Sequence, residues 1–126
     1  VHDLQRFQGF SAEQRDATIG RRHADNEEIE DAPESAHVKR TAQESFTPEA
    51  FMLRRSMPWD KGITRGFEFI AFGESADHFE RALRRMAGLD DGIVDALFTF
   101  SQPVTGGYYW CPPIKDSKLN LQAIGI

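Results

Sequence analysis

Disulfides are excluded by arithmetic: the 126 residues contain one cysteine, Cys111, so no intramolecular bridge can form. Such cysteine usage favours a reducing, cytoplasmic compartment. A lone cysteine also excludes a cysteine cluster for zinc or iron–sulfur. No apolar run approaches the roughly 20 residues that cross a bilayer as a helix, and Val1-His2-Asp3-Leu4-Gln5-Arg6 lacks the basic-then-apolar pattern of a secretory leader. A membrane is therefore not among the expected partners. Positive charge is in deficit, with 15 Lys and Arg against 20 Asp and Glu and a formal net charge of -5, which disfavours nucleic acid. Internal repeats and low-complexity stretches are missing. So is any phosphate-binding loop, because Gly106-Gly107 is followed by neither a lysine nor a helix. His2, His23, His37 and His78 fall at no zinc-binding spacing, and there is no Gly-x-Ser-x-Gly elbow.

What remains is the composition of one globular domain, 40% hydrophobic and 28% charged, long enough to bury about two thirds of its unfolded surface. Ser11-Ala12-Glu13-Gln14 has the form of a capping box and predicts a short helix ending at Gly20. From Arg21 to Ala36 the sequence is acidic and aperiodic, a long surface loop that is either functional or a plain solvated connector. His37 to Thr41 and Phe51 to Trp59 are each compatible with a strand. In the second, alternation puts Met52, Arg54 and Ser56 on one face and Leu53, Arg55 and Met57 on the other. Arg65 to Gly73, apolar on both faces, predicts a buried strand. Ser75 caps a helix with Phe79, Ala82, Leu83 and Met86 on its apolar side, closed by Gly88. Ile93 to Phe98 offers a second short helix, Val104 to Cys111 a final strand, and Lys115 to Ile126 a tail. The order gives an α+β fold with helices on one face of an antiparallel sheet, close to ferredoxin-like topology provided another strand precedes Val1.

Among single residues, His37 stands out because it follows the long loop and opens an element, where a ligand can be presented on a rigid support. A buried, hydrogen-bonded structural histidine is the competing account. His78 fits a surface position beside Asp77, and Cys111, between an aromatic run and two prolines, fits a buried small apolar residue.

Four segments in order carry a broader likeness: Ile19-Gly20-Arg21 before an acidic loop, Glu34-Ser35-Ala36-His37-Val38-Lys39-Arg40, Leu53-Arg54-Arg55-Ser56-Met57-Pro58, and Phe100-Ser101-Gln102-Pro103-Val104-Thr105-Gly106-Gly107-Tyr108-Tyr109. Together they resemble the C-terminal half of bacterial dye-decolourising (Dyp-type) haem peroxidases. The resemblance implies the second of two ferredoxin-like domains, with residues 1–114 as a haem-binding domain and 115–126 as a tail. It implies haem b as cofactor and His37 as the proximal ligand of its iron, with Ala36 in place of the usual serine. It makes Arg54 the distal arginine and sets Ser56 beside it, where members carry asparagine or serine. Arg21 becomes a partner for a haem propionate, against the plainer reading of a surface arginine. Asp95 becomes the carboxylate behind the proximal histidine.

The implied reaction reduces hydrogen peroxide and oxidises a small organic donor such as a dye, phenol or porphyrinogen. The alternatives are a haem carrier without efficient turnover and a non-catalytic α+β interaction domain with a structural His37. Tyr108, Tyr109, Trp59 and Trp110 are open to radical relay or core packing. One departure is large: the family's distal aspartate lies in a Gly-x-x-Asp-Gly motif of the N-terminal half, and Asp90-Asp91-Gly92 does not match it. The chain is therefore expected to be a fragment that works with the N-terminal half of the same protein, and to form a homo-oligomer.

Overall fold

A computed structural model describes residues 1–126. Its first helix, α1 (Leu4–Gln8), has no apolar period to announce it and is started by Asp3, whose side chain accepts the Arg6 N–H at 2.9 Å. Helix α2 (Ala12–Ile19) forms where the capping box requires it: Ser11 Oγ accepts from Gln14 N–H at 3.1 Å, and Gln14 Oε1 accepts from Ser11 N–H at 2.9 Å. It stops at Gly20, whose φ of +88° is left-handed. A methyl group added to Gly20 would overlap Val38 Cγ2 and press on Ala36, so this glycine lets the end of α2 close onto the residues flanking His37. Gly20→Ala should therefore lower stability by more than the about 1–2 kcal/mol of a left-handed alanine. Gly62→Ala is the control, since Gly62 has φ +76° but open space around it. Equal losses of thermal midpoint in the two variants would show that the overlap does not matter.

Helix α3 (His37–Arg40) is one turn long and stands where the sequence suggested a strand. A turn this short is not stable by itself. Its conformation is imposed from outside by the reversal at Pro33, whose carbonyl accepts the Ala36 N–H at 2.8 Å, and by the side-chain bonds of His37 and Arg40.

Strands β1 (Leu53–Asp60) and β2 (Arg65–Phe72) form an antiparallel hairpin in register from Leu53 opposite Phe72 to Asp60 opposite Arg65. Helix α4 (Ala76–Met86) follows, capped by Ser75, whose Oγ accepts from Asp77 N–H at 3.1 Å. A small core joins them, with Phe46, Ala50 and Ala82 buried together and Met52 packed against them. Arg85 adds to it by stacking its guanidinium 3.4 Å from the Phe46 ring centroid. The architecture is α+β and ferredoxin-like, built on an antiparallel sheet.

Several local expectations are corrected. Strand β2 exists but is not buried: Phe67, Phe69 and Phe72 are 55%, 60% and 50% exposed, because β1 is its only sheet neighbour. Val104 to Cys111 forms no strand, since no ladder reaches it, and Cys111 is exposed rather than buried. The helix expected over Ile93 to Phe98 is a 3₁₀ turn over Ala96–Thr99 that starts only after Asp95. The tail carries a second hairpin, β3 (Ile114–Lys115) with β4 (Lys118–Leu119).

The expected burial is not reached. Only 11 of 126 residues are buried and 9488 Å² is accessible, about 40% more than size scaling gives for a 14.3 kDa monomer. The N-terminal residues show where cover is lacking. His2 N–H donates to Arg65 O at 2.9 Å, at the start of β2, while Val1 and Gln102 exchange two backbone bonds of 2.8 Å. Residues 1–3 thus lie between β2 and the segment that leads into Val104 to Cys111.

Candidate functional site

His37 is the first residue of α3, and its Nδ1 lies 2.8 Å from Asp95 Oδ2. An ionised carboxylate can only accept, so Nδ1 carries a proton, and in the neutral imidazole Nε2 keeps its lone pair. Asp95 is completely buried, at 0% exposure. Its second oxygen accepts the Leu97 N–H at 2.8 Å, its own N–H donates to Met86 O at 2.8 Å, and the next N–H, of Ala96, donates to Ser35 O at 2.8 Å. The carboxylate is thereby tied to the end of α4 and to the backbone just before His37.

The His37 side chain is 31% exposed, and no protein group bonds Nε2. An imidazole fixed by a carboxylate on one nitrogen and open on the other has the form of a metal ligand with its supporting partner. No group of three His, Cys, Asp or Glu side chains surrounds it. Such a site suits a metal that brings its remaining ligands with it, as an iron porphyrin does, and so the residues present fit haem.

Arg54 reaches the other end of the same helical turn: its Nη1 donates to Thr41 O at 3.0 Å, and Thr41 Oγ1 donates to His37 O at 2.8 Å. This satisfies a carbonyl left unpaired at the helix terminus. Ser56 lies two residues along β1 on the same face and is exposed. Arg55 turns the other way and donates to Arg54 O at 2.8 Å. The structure thus gathers His37, Asp95 and Arg54 around α3. Arg21 stands apart from them in its contacts, paired with Glu28 and donating to Asn26 O at 2.9 Å within the acidic loop.

A family model described as "Dyp-type peroxidase, C-terminal" matches residues 1–116. The chain belongs to the Dyp-type peroxidase family. A dye-decolorizing peroxidase of Mycobacterium tuberculosis is 31% identical over 121 residues, covering 90% of this chain and 36% of that protein. Among solved structures, a dye-decolorizing protein from V. cholerae superposes with a TM-score of 0.71 at 29% identity, covering 79% of this chain and 34% of the other. A dye-decolorizing peroxidase from Bacteroides thetaiotaomicron does so with a TM-score of 0.70 at 25% identity, covering 79% and 33%. These likenesses support the ferredoxin-like class, and the chain spans about a third of the length of the Dyp-type relatives it matches.

One residue beside His37 and Asp95 was not singled out from sequence. Arg40, only 4% exposed, holds Asp91 with two hydrogen bonds of 2.7 and 2.8 Å and donates to Arg85 O at 2.6 Å. The available signal was spacing: Arg40 follows His37 by one helical turn, and Asp91 precedes Asp95 by a similar step in the loop after α4.

Proposed function

We propose that this chain is the haem-holding part of a peroxidase that reduces hydrogen peroxide and oxidises a small organic donor. The observation that carries the reading is the Nδ1 bond from His37 to the buried Asp95 carboxylate, which leaves Nε2 free as a ligand. His37 would hold the iron of haem b, and Asp95 would keep the imidazole in the correct tautomer and make it a stronger donor. The chemistry that haem supplies when bound is reductive cleavage of the peroxide O–O bond, with return of electrons from the organic donor. Arg54, always cationic, stabilises negative charge on the departing oxygen, and Ser56 lies on its strand face. Retention of that cation favours a peroxidase over a haem carrier. Arg21 serves a propionate by exchanging Glu28 for it.

Proton movement between the peroxide oxygens requires a positioned acid–base group. The carboxylate in strand register with Arg54, Asp60, is paired with Arg65 at 2.8 Å; following the family resemblance, the proton carrier is proposed to lie in the N-terminal part of the protein. That part would also cover the exposed β2 face. The reading includes a cytoplasmic location, supported by the cysteine usage, and, for the chain without that part, self-association through the uncovered surface.

Hemin titrated into the full chain should give a Soret band of a nitrogen-ligated species, and efficient peroxide turnover should appear only when the N-terminal part is present. Absence of hemin binding both with and without that part would end the proposal. Full turnover by this chain alone would remove the assigned division of labour.

A further inference from the structure

We infer that Arg40 and Asp91 form a positioning pair that sets the direction in which His37 presents Nε2; this rests on the haem reading for its purpose but not for its geometry. Helix α3 is a single turn, and its N-cap, Ala36, has no side chain that can cap it. Backbone bonds cannot fix such a turn in orientation. The bond from His37 to Asp95 ties the turn to the loop after α4 at one point, while Arg54 holds the Thr41 carbonyl from β1. The pair of Arg40 and Asp91 supplies a second point of attachment one helical turn further on, and both carboxylates come from the same loop after α4. Two residues on α3 are thus gripped by two acids on one loop.

That loop is itself stiff. Asp91 Oδ1 also accepts the Ile93 N–H at 2.9 Å, Gly92 N–H donates to Gly88 O at 2.9 Å, and Asp95 N–H donates to Met86 O at 2.8 Å. Gly88 and Gly92 take left-handed φ values of +70° and +78°, which make the reversal possible. The Arg40 guanidinium and the Ile93 N–H hold the Asp91 carboxyl below the usual carboxylate range, so it stays ionised for this contact. The geometry of the arginine is demanding: two parallel bonds to the carboxylate and a third to Arg85 O need a planar fork, which lysine lacks.

The variant of choice is Asp91→Asn, which keeps the shape and the Ile93 bond while removing the charge. Arg40→Lys is the second variant. In the full chain without hemin, nitrogen NMR of the labelled His37 imidazole reports the balance of its two neutral tautomers. Wild type should hold the Nδ1–H form almost entirely. Asp91→Asn and Arg40→Lys should raise the Nε2–H share and weaken hemin affinity by about tenfold, the lower range for loss of an outer partner of a metal ligand. Asp95→Asn sets the scale of complete loss. An unchanged tautomer balance in both variants, with the amide spectrum showing a folded chain, would overturn the inference. Failure of wild type to bind hemin would instead overturn the haem reading and leave the tautomer result to decide the pair on its own.

Discussion

Hemin retention should be lost in His37→Ala and kept in His2→Ala, His23→Ala and His78→Ala. The four imidazoles differ in what their nitrogens meet. The His2 ring lies edge-on to Phe67 at 4.8 Å and near Phe100 at 5.9 Å, with both nitrogens buried and unbonded. Burial, aided by the N-terminal ammonium, holds it below the ordinary imidazole range. His78 spends Nδ1 on Phe51 O at 3.0 Å, and His23 is exposed in the acidic loop with no carboxylate set behind its ring. Only His37 combines an Nδ1 held by a buried carboxylate with an unbonded Nε2. Since His37→Ala also strips a bond from the buried Asp95, a cost of about 1–3 kcal/mol in stability, the binding loss needs a control. Imidazole added to the variant should restore the nitrogen-ligated spectrum. Unchanged hemin loading in His37→Ala, or loss that imidazole cannot restore in a folded variant, would overturn the assignment.

The second large effect concerns rate. In the protein with its N-terminal part, Arg54→Leu should retain hemin but slow the reaction with peroxide by about 10²–10³-fold, the size expected when one preorganised group for developing negative charge is removed. Arg55→Leu, on the opposite face of β1 and bonded only to the backbone of Arg54, should change that rate little. Arg54 also holds the Thr41 carbonyl, so Arg54→Gln, which keeps an N–H donor without the charge, separates its charge from its support of α3. Slowing in the glutamine variant as large as in Arg54→Leu points to charge. Stopped-flow mixing with hydrogen peroxide measures all three, and equal slowing by Arg54→Leu and Arg55→Leu would remove Arg54 from its proposed role.

Residues whose structure depends on near neighbours were legible in the sequence. The capping box at Ser11, the left-handed stop at Gly20 and the start of α4 at Ser75 each depend on residues a few places away. Alternation along β1 likewise separated Arg54 from Arg55. The errors fall where distant residues decide. His37 to Thr41 has two β-branched residues, Val38 and Thr41, and no strong preference, and contacts from Asp91 and Asp95 make it helical. Val104 to Cys111 has strand composition, but composition cannot supply a neighbour to pair with. The contact between His37 and Asp95 was suggested only by family resemblance, because no local spacing links residues that far apart.

That separation has a consequence for the order of events during synthesis. The two partners are 58 positions apart, so at about 5–20 residues per second His37 waits about 3–12 s on the ribosome before Asp95 is even made. During that interval its imidazole is free to take either tautomer and to meet hemin without the carboxylate that selects Nε2. On the haem reading proposed above, correct loading follows translation of the loop after α4. A nascent chain stalled before Asp95 would display the histidine without the carboxylate that holds Nδ1.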